Sequence, residues 1–212
     1  MNSAEIEKEP AVAAELAGEH IHTLRKFTQD LATRGEELGL IGPLEAARIW
    51  TRHVLNCALV APLLKKGSLA DIGSGAGLPG LVIAILRPDI HCTLIEPMDR
   101  RVQWLNEQVD RLGLENVSVR RARAEDIQGH ETFDTVTARA VSALKKLIPM
   151  SVPLVNPNGQ LVFMKGERVA EEMQNAEKII TKLRLSQPEV LVLGESGLVE
   201  QTRVFRATVG KA

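Results

Sequence analysis

The sequence predicts an α/β fold, with a seven-stranded and mostly parallel sheet that has helices on both faces and a helical cap in front of it. Short apolar runs alternate with amphipathic segments of helical period, which is the pattern of parallel strands joined by crossover helices. The run 68–72 also leads into a loop with glycine at alternate positions, and the apolar segment 81–86 follows. A buried strand, an open turn and a helix in this order form the ligand-binding corner of a doubly wound sheet.

The chain divides into three predicted blocks. Residues 1–18 combine glutamate and alanine around one proline, which predicts a flexible acidic tail. Residues 19–66 predict the helical cap, because apolar side chains recur at helical spacing between residues 21 and 31 and a second helix of about residues 44–64 follows. Residues 67–212 predict a Rossmann-like domain that holds the sheet.

The composition limits the classes of function. The 26 Lys and Arg residues nearly balance the 27 Asp and Glu residues, so the net charge indicates no polyanionic partner, although an enzyme that visits RNA needs only a local basic face. Cys57 and Cys92 are isolated in apolar surroundings, which argues against disulfides and a zinc site and favours a reducing compartment. Because no leader-like start and no long apolar run is found, we predict a cytoplasmic protein without a metal and without membrane contact.

The glycine loop is compatible with two cofactor classes. Its last six residues also match the G-x-G-x-x-G pattern of dinucleotide-binding enzymes. However, Asp71 ends the strand two residues before Gly73, and its carboxylate would repel a pyrophosphate and attract a cationic, amine-bearing ligand. The loop therefore favours S-adenosylmethionine, with Asp71, Gly73, Gly75 and Gly77 as candidate contacts.

The next two strands end in charged side chains. The predicted strand 91–96 ends in Glu96, near the offset at which such folds place a carboxylate on a ribose. A helix over residues 99–112 leads to a third strand, 117–120, and its end carries Arg120, Arg121 and Arg123. These arginines form either a solvated charge run or a basic rim for a substrate backbone. Both interpretations stay open.

The predicted fourth strand, 133–140, carries Arg139 at the edge that faces a transferable group. Enzymes that methylate exocyclic amines need a [DNS]-P-P-aromatic cluster here, whereas this chain has Thr137-Ala138-Arg139-Ala140. Methylation of a pyrimidine at C5 would need an exposed thiolate, and neither cysteine is predicted to be exposed. Helices over residues 144–155 and 169–185 and strands over residues 160–165, 189–193 and 202–209 complete the fold.

A pair of polar residues, Arg52 and His53, stands within the second predicted cap helix. A histidine in this position is more often a core or solvated residue than a ligand. An adjacent Arg-His pair can also contact a phosphate, which makes both residues candidates for RNA binding.

Four stretches stand in the order and spacing of a bacterial family: Arg52-His53-Val54-Leu55-Asn56, the loop from Asp71 to Gly80, Arg139-Ala140 and Lys165-Gly166. On these residues, within positions 35–185, the chain resembles the small-subunit rRNA guanine-N7 methyltransferase family RsmG, also called GidB. The resemblance implies a class I S-adenosylmethionine-dependent methyltransferase fold. It implies cofactor contacts at Gly73, Leu78, Ala124, Glu125 and Arg139, and rRNA contacts near Arg52, His53, Arg123, Arg139 and Lys165.

The implied reaction is methyl transfer to N7 of a guanine in 16S rRNA, either free or in the small ribosomal subunit or its precursor, with no role for DNA. Guanine N7 carries an in-plane lone pair, so the transfer needs no general base and depends on positioning. Arg139 is the candidate positioning residue. Two alternatives share the motifs: a non-catalytic S-adenosylmethionine-binding RNA or ribosome assembly factor, and an NAD(P)-dependent oxidoreductase. The chain contains no tyrosine, which disfavours the oxidoreductase.

Overall fold

A computed structural model describes residues 5–194 and 199–210. Within them, the helices are α1 (Val12–Ala17), α2 (Ile21–Arg34), α3 (Leu55–Ala58), α4 (Gly80–Leu86), α5 (Asp99–Leu112), α6 (Leu144–Ser151), α7 (Val169–Asn175) and α8 (Glu177–Lys182). The strands are β1 (Gly67–Ile72), β2 (Ile90–Ile95), β3 (Val117–Arg120), β4 (Phe133–Arg139), β5 (Val155–Lys165), β6 (Leu185–Leu193) and β7 (Thr202–Val209). In these described ranges, no helix is both long and apolar enough to cross a membrane.

The strands form one sheet in the order β3-β2-β1-β4-β5-β7-β6. The first five strands in this order are parallel, and β7 runs antiparallel between β5 and β6. The predicted seven-stranded, mostly parallel sheet is confirmed. Because the strand order reverses between β1 and β4, the carboxyl ends of these two strands border a crevice, where doubly wound folds bind their ligands.

Two apolar clusters cover the two faces of the sheet. On one face, Leu24 of α2, Leu81 of α4 and Trp104 of α5 belong to the cluster that contains Leu69 of β1. On the other face, side chains of α6, α7 and α8 pack with Ala70, the next residue of β1. Consecutive side chains of a strand point to opposite faces. A strand buried on both faces has a continuous apolar sequence, which is why the run 68–72 could be recognised.

Residues 5–17, which the sequence assigned to a flexible acidic tail, contact the cap at several positions, although most of their side chains are exposed. Helix α1 buries Ala13 and Ala17, which lie on one helical face and join the apolar cluster of α2 and α4. The Glu7 carboxylate accepts hydrogen bonds from the backbone N–H groups of Trp50 (2.7 Å) and Thr51 (3.1 Å). Composition alone does not show that Glu7 has hydrogen-bond donors in the cap. Residues 1–4 lie outside the described residues, and the boundary between cap and domain at residue 67 stays a prediction.

The sequence predicted a continuous second cap helix. In the structure this segment is divided into short turns. A 3₁₀ turn (Glu45–Arg48), a π-helical turn (Ile49–Val54), α3 and another 3₁₀ turn (Ala61–Leu63) follow one another. The wide π-helical turn buries His53 and leaves Arg52 exposed. π-Helical turns are rare and are found frequently at functional sites.

The carboxyl-terminal elements also differ in their bounds from the predicted ones. Helix α6 contains Pro149 and ends at Ser151, and the predicted helix 169–185 is interrupted at Ala176, between α7 and α8. Strand β5 begins at Val155 and shows a register shift against β4 near Phe133. These differences leave the order of the elements unchanged.

Candidate active site

The glycine loop lies between β1 and α4, with its glycines in the left-handed region of φ. The φ values are +67° at Gly73, +56° at Gly75 and +91° at Gly77. A Cβ atom added at Gly75 would meet only the Gly73 carbonyl oxygen, at 3.7 Å, whereas one added at Gly77 would lie 2.3 Å from Leu81 Cδ1. Gly75 therefore has little packed around its Cα, and Gly77 allows α4 to pack closely. The sequence assigned both glycines to the cofactor without this distinction.

Asp71 lies fully buried below the loop. Its Oδ2 accepts a hydrogen bond from the Gly80 N–H at 3.0 Å, and its Oδ1 has no partner among the described residues. Burial raises the pKa of this carboxyl to about 7, against the opposing effect of the Gly80 hydrogen bond. An unpaired buried carboxylate oxygen is unfavourable, so a cationic ligand amine near this strand end would stabilise the ionised form. A carboxylate accepts hydrogen bonds from an amine, so Asp71 fits the amine-bearing ligand that the sequence favoured.

Glu96 follows β2 and connects the glycine loop to the segment before α5. Its Oε2 accepts from the Gly75 N–H (3.0 Å), its Oε1 accepts from the Met98 N–H (2.9 Å), and the side chain is 2% exposed. The Arg101 guanidinium lies 3.9 Å from Oε2. A ribose hydroxyl at this carboxylate would therefore have to replace or share a backbone hydrogen bond. The exposed apolar side chain of Met98, which the sequence analysis missed, stands next to this position.

Glu96→Gln is expected to weaken S-adenosylmethionine binding by about 1–3 kcal/mol, because charge-assisted hydrogen bonds are lost. RNA affinity should barely change. Calorimetry with the cofactor and filter binding with RNA measure the two quantities separately. Glu189→Gln is the matched control, since Glu189 pairs with Arg206 between β6 and β7, at the end of the sheet away from β2. A loss of RNA affinity as large as the loss of cofactor affinity would contradict the assignment.

Arg139 ends β4 and is held from the cap side by His53. Its Nη2 donates to His53 Nδ1 (2.6 Å), and its Nη1 donates to the His53 carbonyl oxygen (3.3 Å) and to Cys57 Sγ (3.4 Å). His53 is only 8% exposed, and its other ring nitrogen, Nε2, contacts the Glu45 carboxylate. Burial, and then the charge of Arg139, lower the pKa of His53. The structure thus places His53 beneath Arg139, where it has little surface to offer a phosphate.

A cleft of about 710 Å³ opens at the carboxyl ends of β4 and β5. Five cationic side chains line it: Arg52, Arg139, Lys165, Arg168 and Arg203. Three carboxylates, Glu167, Glu172 and Glu200, and the uncharged polar residues Asn56, Gln201 and Thr202 line it as well. Sequence reasoning missed Arg168 and Arg203, which belong to no motif. Arg203 reaches the cleft because the antiparallel strand β7 begins at this edge, beside Lys165.

Lys165 is largely buried in the wall of this cleft. Its Nζ donates to the Ser142 carbonyl oxygen at 2.8 Å and pairs with Glu172 at 2.7 Å, and its side chain is 10% exposed. The same Glu172 oxygen accepts from the Leu144 N–H, the first of α6. Lys165 and Glu172 together fix the loop that follows Arg139.

The three arginines around the end of β3 are exposed, and two of them have carboxylate partners. Arg120 lies 3.5 Å from Glu131, and Arg121 lies 2.6 Å from Asp99. The Arg123 backbone N–H donates to Asp126 as a 3₁₀ turn (Ala124–Ile127) begins, with Ala124 buried and Glu125 exposed. These residues share the carboxyl edge of the sheet with the glycine loop, Glu96 and Arg139. Exposed surface pairs contribute little free energy and exchange partners readily, so a substrate phosphate could replace the carboxylates.

The strand order together with the glycine loop defines a class I S-adenosylmethionine-dependent methyltransferase fold. Solved structures with this fold include an S-adenosylmethionine-dependent O-methyltransferase from Thermotoga maritima, at 13% identity and a TM-score of 0.57, covering 74% of this chain and 66% of the other. A Corynebacterium glutamicum protein is similar at 20% identity and a TM-score of 0.59, covering 95% of each chain. The predicted fold class and cofactor, S-adenosylmethionine, are confirmed.

The family GidB, described as rRNA small subunit methyltransferase G, matches residues 20–201. A protein named ribosomal RNA small subunit methyltransferase G from Leifsonia xyli is 58% identical, covering 96% of this chain and 98% of the relative. One of the same name from Clavibacter michiganensis is 59% identical, covering 96% and 97%. The chain therefore belongs to this family of rRNA methyltransferases, and the resemblance drawn from its motifs is confirmed.

Proposed function

We propose that the protein transfers a methyl group from S-adenosylmethionine to N7 of a guanine in 16S rRNA. The observation that carries the proposal is the position of Arg139, which ends β4 beside the glycine loop and also lines the cleft of about 710 Å³. A base in the cleft would thus lie next to the cofactor corner. When bound, S-adenosylmethionine supplies an electrophilic methyl group on a cationic sulfur.

The residues of the cofactor corner divide the work of binding. We assign the amine to Asp71, whose Oδ1 has no partner among the described residues. We assign the backbone contact to Gly75, where little packs around the Cα. We assign the ribose to Glu96, beside which Met98 offers an apolar surface. Four further residues complete the proposed contacts: Gly73, Leu78, Ala124 and Glu125.

The side chains of the site support a reaction that needs no proton acceptor. His53 is engaged by Arg139 and Glu45 and is not free to accept a substrate proton. Burial raises the pKa of the Cys57 thiol to about 11 and raises that of Cys92 as well, so neither supplies a nucleophilic thiolate. Guanine N7 needs neither group, because its lone pair attacks directly. The protein then contributes orientation of the two reactants and exclusion of water.

RNA would reach the cleft along cationic side chains on two sides. Arg52, Arg168 and Arg203 lie at the cleft, whereas Arg120, Arg121 and Arg123 surround the end of β3. Arg52 pairs with Glu45 and Glu200, so its contact with a phosphate would exchange these partners. We propose that the substrate is 16S rRNA, either free or in the small ribosomal subunit or its precursor, with an unstacked guanine.

Incubation with methyl-labelled S-adenosylmethionine tests this function on free 16S rRNA, on precursor particles and on assembled small subunits. We expect acid-stable label on one guanine of the RNA. Chemistry selective for N7-methylguanine should cleave the RNA at that nucleotide. Label on another atom of the base would contradict the N7 assignment. A protein that binds cofactor and RNA but transfers no label to any of the three substrates would be a non-catalytic assembly factor.

A further inference from the structure

A chain of polar contacts runs from the cap to Arg139, and Glu45 is its outer end. Glu45 lies in the 3₁₀ turn of the cap, eight residues before His53, and its carboxylate contacts His53 Nε2. His53 Nδ1 then meets Arg139 Nη2 at 2.6 Å, and the His53 carbonyl oxygen accepts from Arg139 Nη1. Arg139 is thereby held by both the ring and the backbone of a single buried residue.

The contacts determine which ring nitrogen of His53 carries the proton. A guanidinium only donates hydrogen bonds, so Nδ1 must accept from Arg139, and the proton of the neutral ring is on Nε2. Nε2–H then donates to the Glu45 carboxylate, which is an acceptor. Removal of the Glu45 acceptor would free the ring to move its proton to Nδ1, where it would oppose Arg139.

We infer that Glu45 is a positioning residue for methyl transfer, which holds His53 in the tautomer whose Nδ1 anchors the Arg139 guanidinium at the cleft. The inference rests on the proposed function, because the anchored guanidinium matters only if the cleft receives the target nucleotide. It also gives His53 a role that does not require contact with RNA. Neither Glu45 nor this chain of contacts was found by sequence reasoning.

A dependence on pH follows from the same contacts. The charged and titratable groups around His53 are Glu45, Arg52, Arg139 and the Cys57 thiol, and Arg48 and Glu200 form the next ion pair outward. Burial, Arg139 and Arg52 lower the pKa of His53, and Glu45 raises it. Protonation of Nδ1 at acid pH would remove the acceptor for Arg139, so the transfer rate should fall as the pH drops through this lowered pKa.

Single-turnover methyl transfer at saturating RNA and cofactor, measured against pH, tests the inference in the full-length protein. Glu45→Ala should lower the plateau rate by about 3- to 10-fold and move the acid limb to lower pH, because it removes both the acceptor of the His53 Nε2–H and the charge that raises the His53 pKa. His53→Ala should lower the plateau by about 10- to 100-fold. His53→Asn should restore much of that rate without the acid limb, since its Oδ1 replaces Nδ1 and does not titrate.

Two controls separate this role from a merely structural one. Glu189→Gln removes a carboxylate of β6 that pairs with Arg206 of β7, and it should change neither the plateau nor the acid limb. Thermal unfolding and cofactor calorimetry confirm that each variant is folded and loaded. A wild-type plateau and acid limb in Glu45→Ala would overturn the inference, as would equal rates in His53→Ala and His53→Asn.

The ring ¹⁵N chemical shifts of His53 in the free protein give a readout that does not depend on activity. We expect the Nε2–H tautomer in the wild type and a mixture of tautomers in Glu45→Ala. The Nδ1–H tautomer together with normal methyl transfer would overturn the inference alone. Absence of N7 methylation by the wild type, with the Nε2–H tautomer present, would instead overturn the proposed function and the positioning role with it.

Discussion

Gly75→Val is expected to abolish S-adenosylmethionine binding in a protein that remains folded, with a loss of at least about 100-fold in affinity, or about 3 kcal/mol. Gly75 has a φ of +56°, and a Cβ atom added there meets only the Gly73 carbonyl oxygen, at 3.7 Å. The valine side chain would therefore extend into the space beside the loop. Because we propose that the cofactor approaches the backbone through the same space, the two could not occupy it together. Calorimetry with the cofactor measures the loss.

The matched control for this variant is Gly113→Val. Gly113 ends α5 at φ +64° and has nothing within 4 Å of an added Cβ, so it carries the same left-handed strain, about 1–2 kcal/mol. It lies at the opposite edge of the sheet, before β3. Both variants should therefore lose similar unfolding free energy, and only Gly75→Val should lose the cofactor. Unchanged cofactor affinity in folded Gly75→Val would refute the location of the binding corner.

Arg139→Ala is expected to reduce the single-turnover rate of methyl transfer by about 100-fold, because it removes the group that we propose to orient the reactants at the end of β4. RNA affinity should change far less, since Arg139 is partly buried and anchored by His53 rather than displayed on the surface. Rates at saturating RNA, together with filter binding, separate the two effects. Normal transfer at saturating RNA would remove Arg139 from the active site.

Arg123→Ala provides the contrast in the same assays. Arg123 is exposed at the carboxyl end of β3, where it would contact a phosphate and release a counterion. Its removal should weaken RNA binding and reduce the magnitude of the salt slope by about 0.7 to 0.9, the share of one phosphate contact. Cofactor affinity should survive. If both variants lose only RNA affinity, the two arginines belong to one binding surface.

The parts of the site that could be predicted lie where the chain follows a regular period. Asp71, Glu96 and Arg139 each stand at or next to the end of an apolar run, so a parallel sheet necessarily brings them to one edge. The glycine pattern indicated the loop but not the difference between Gly75 and Gly77, which depends on the position of Leu81. Ala124 and Glu125 came from the family resemblance alone, since a short turn has no periodicity.

The parts that could not be predicted depend on irregular backbone and on tertiary pairing. The π-helical turn at Ile49–Val54 rotates His53 inward, and a regular helix gives no reason to pair it with Glu45. A motif singled out Lys165, but it did not predict that the side chain is largely buried. The side chain pairs there with Glu172, on a helix further along the chain. The packing of α1 depends on two small alanine side chains. A segment rich in alanine and glutamate is equally compatible with an unfolded chain.

Helix α1 shares an apolar cluster with α4, the helix that begins at the end of the glycine loop. Regions that pack together often open as one cooperative unit, so we expect the backbone amides of α1 and α4 to exchange with solvent through a common opening rather than through independent fraying. The first helix of the described residues would then help to keep the corner around the glycine loop closed, although it lies outside that corner. A destabilised α1 would shorten the lifetime of the binding-competent state before it altered any contact within the corner.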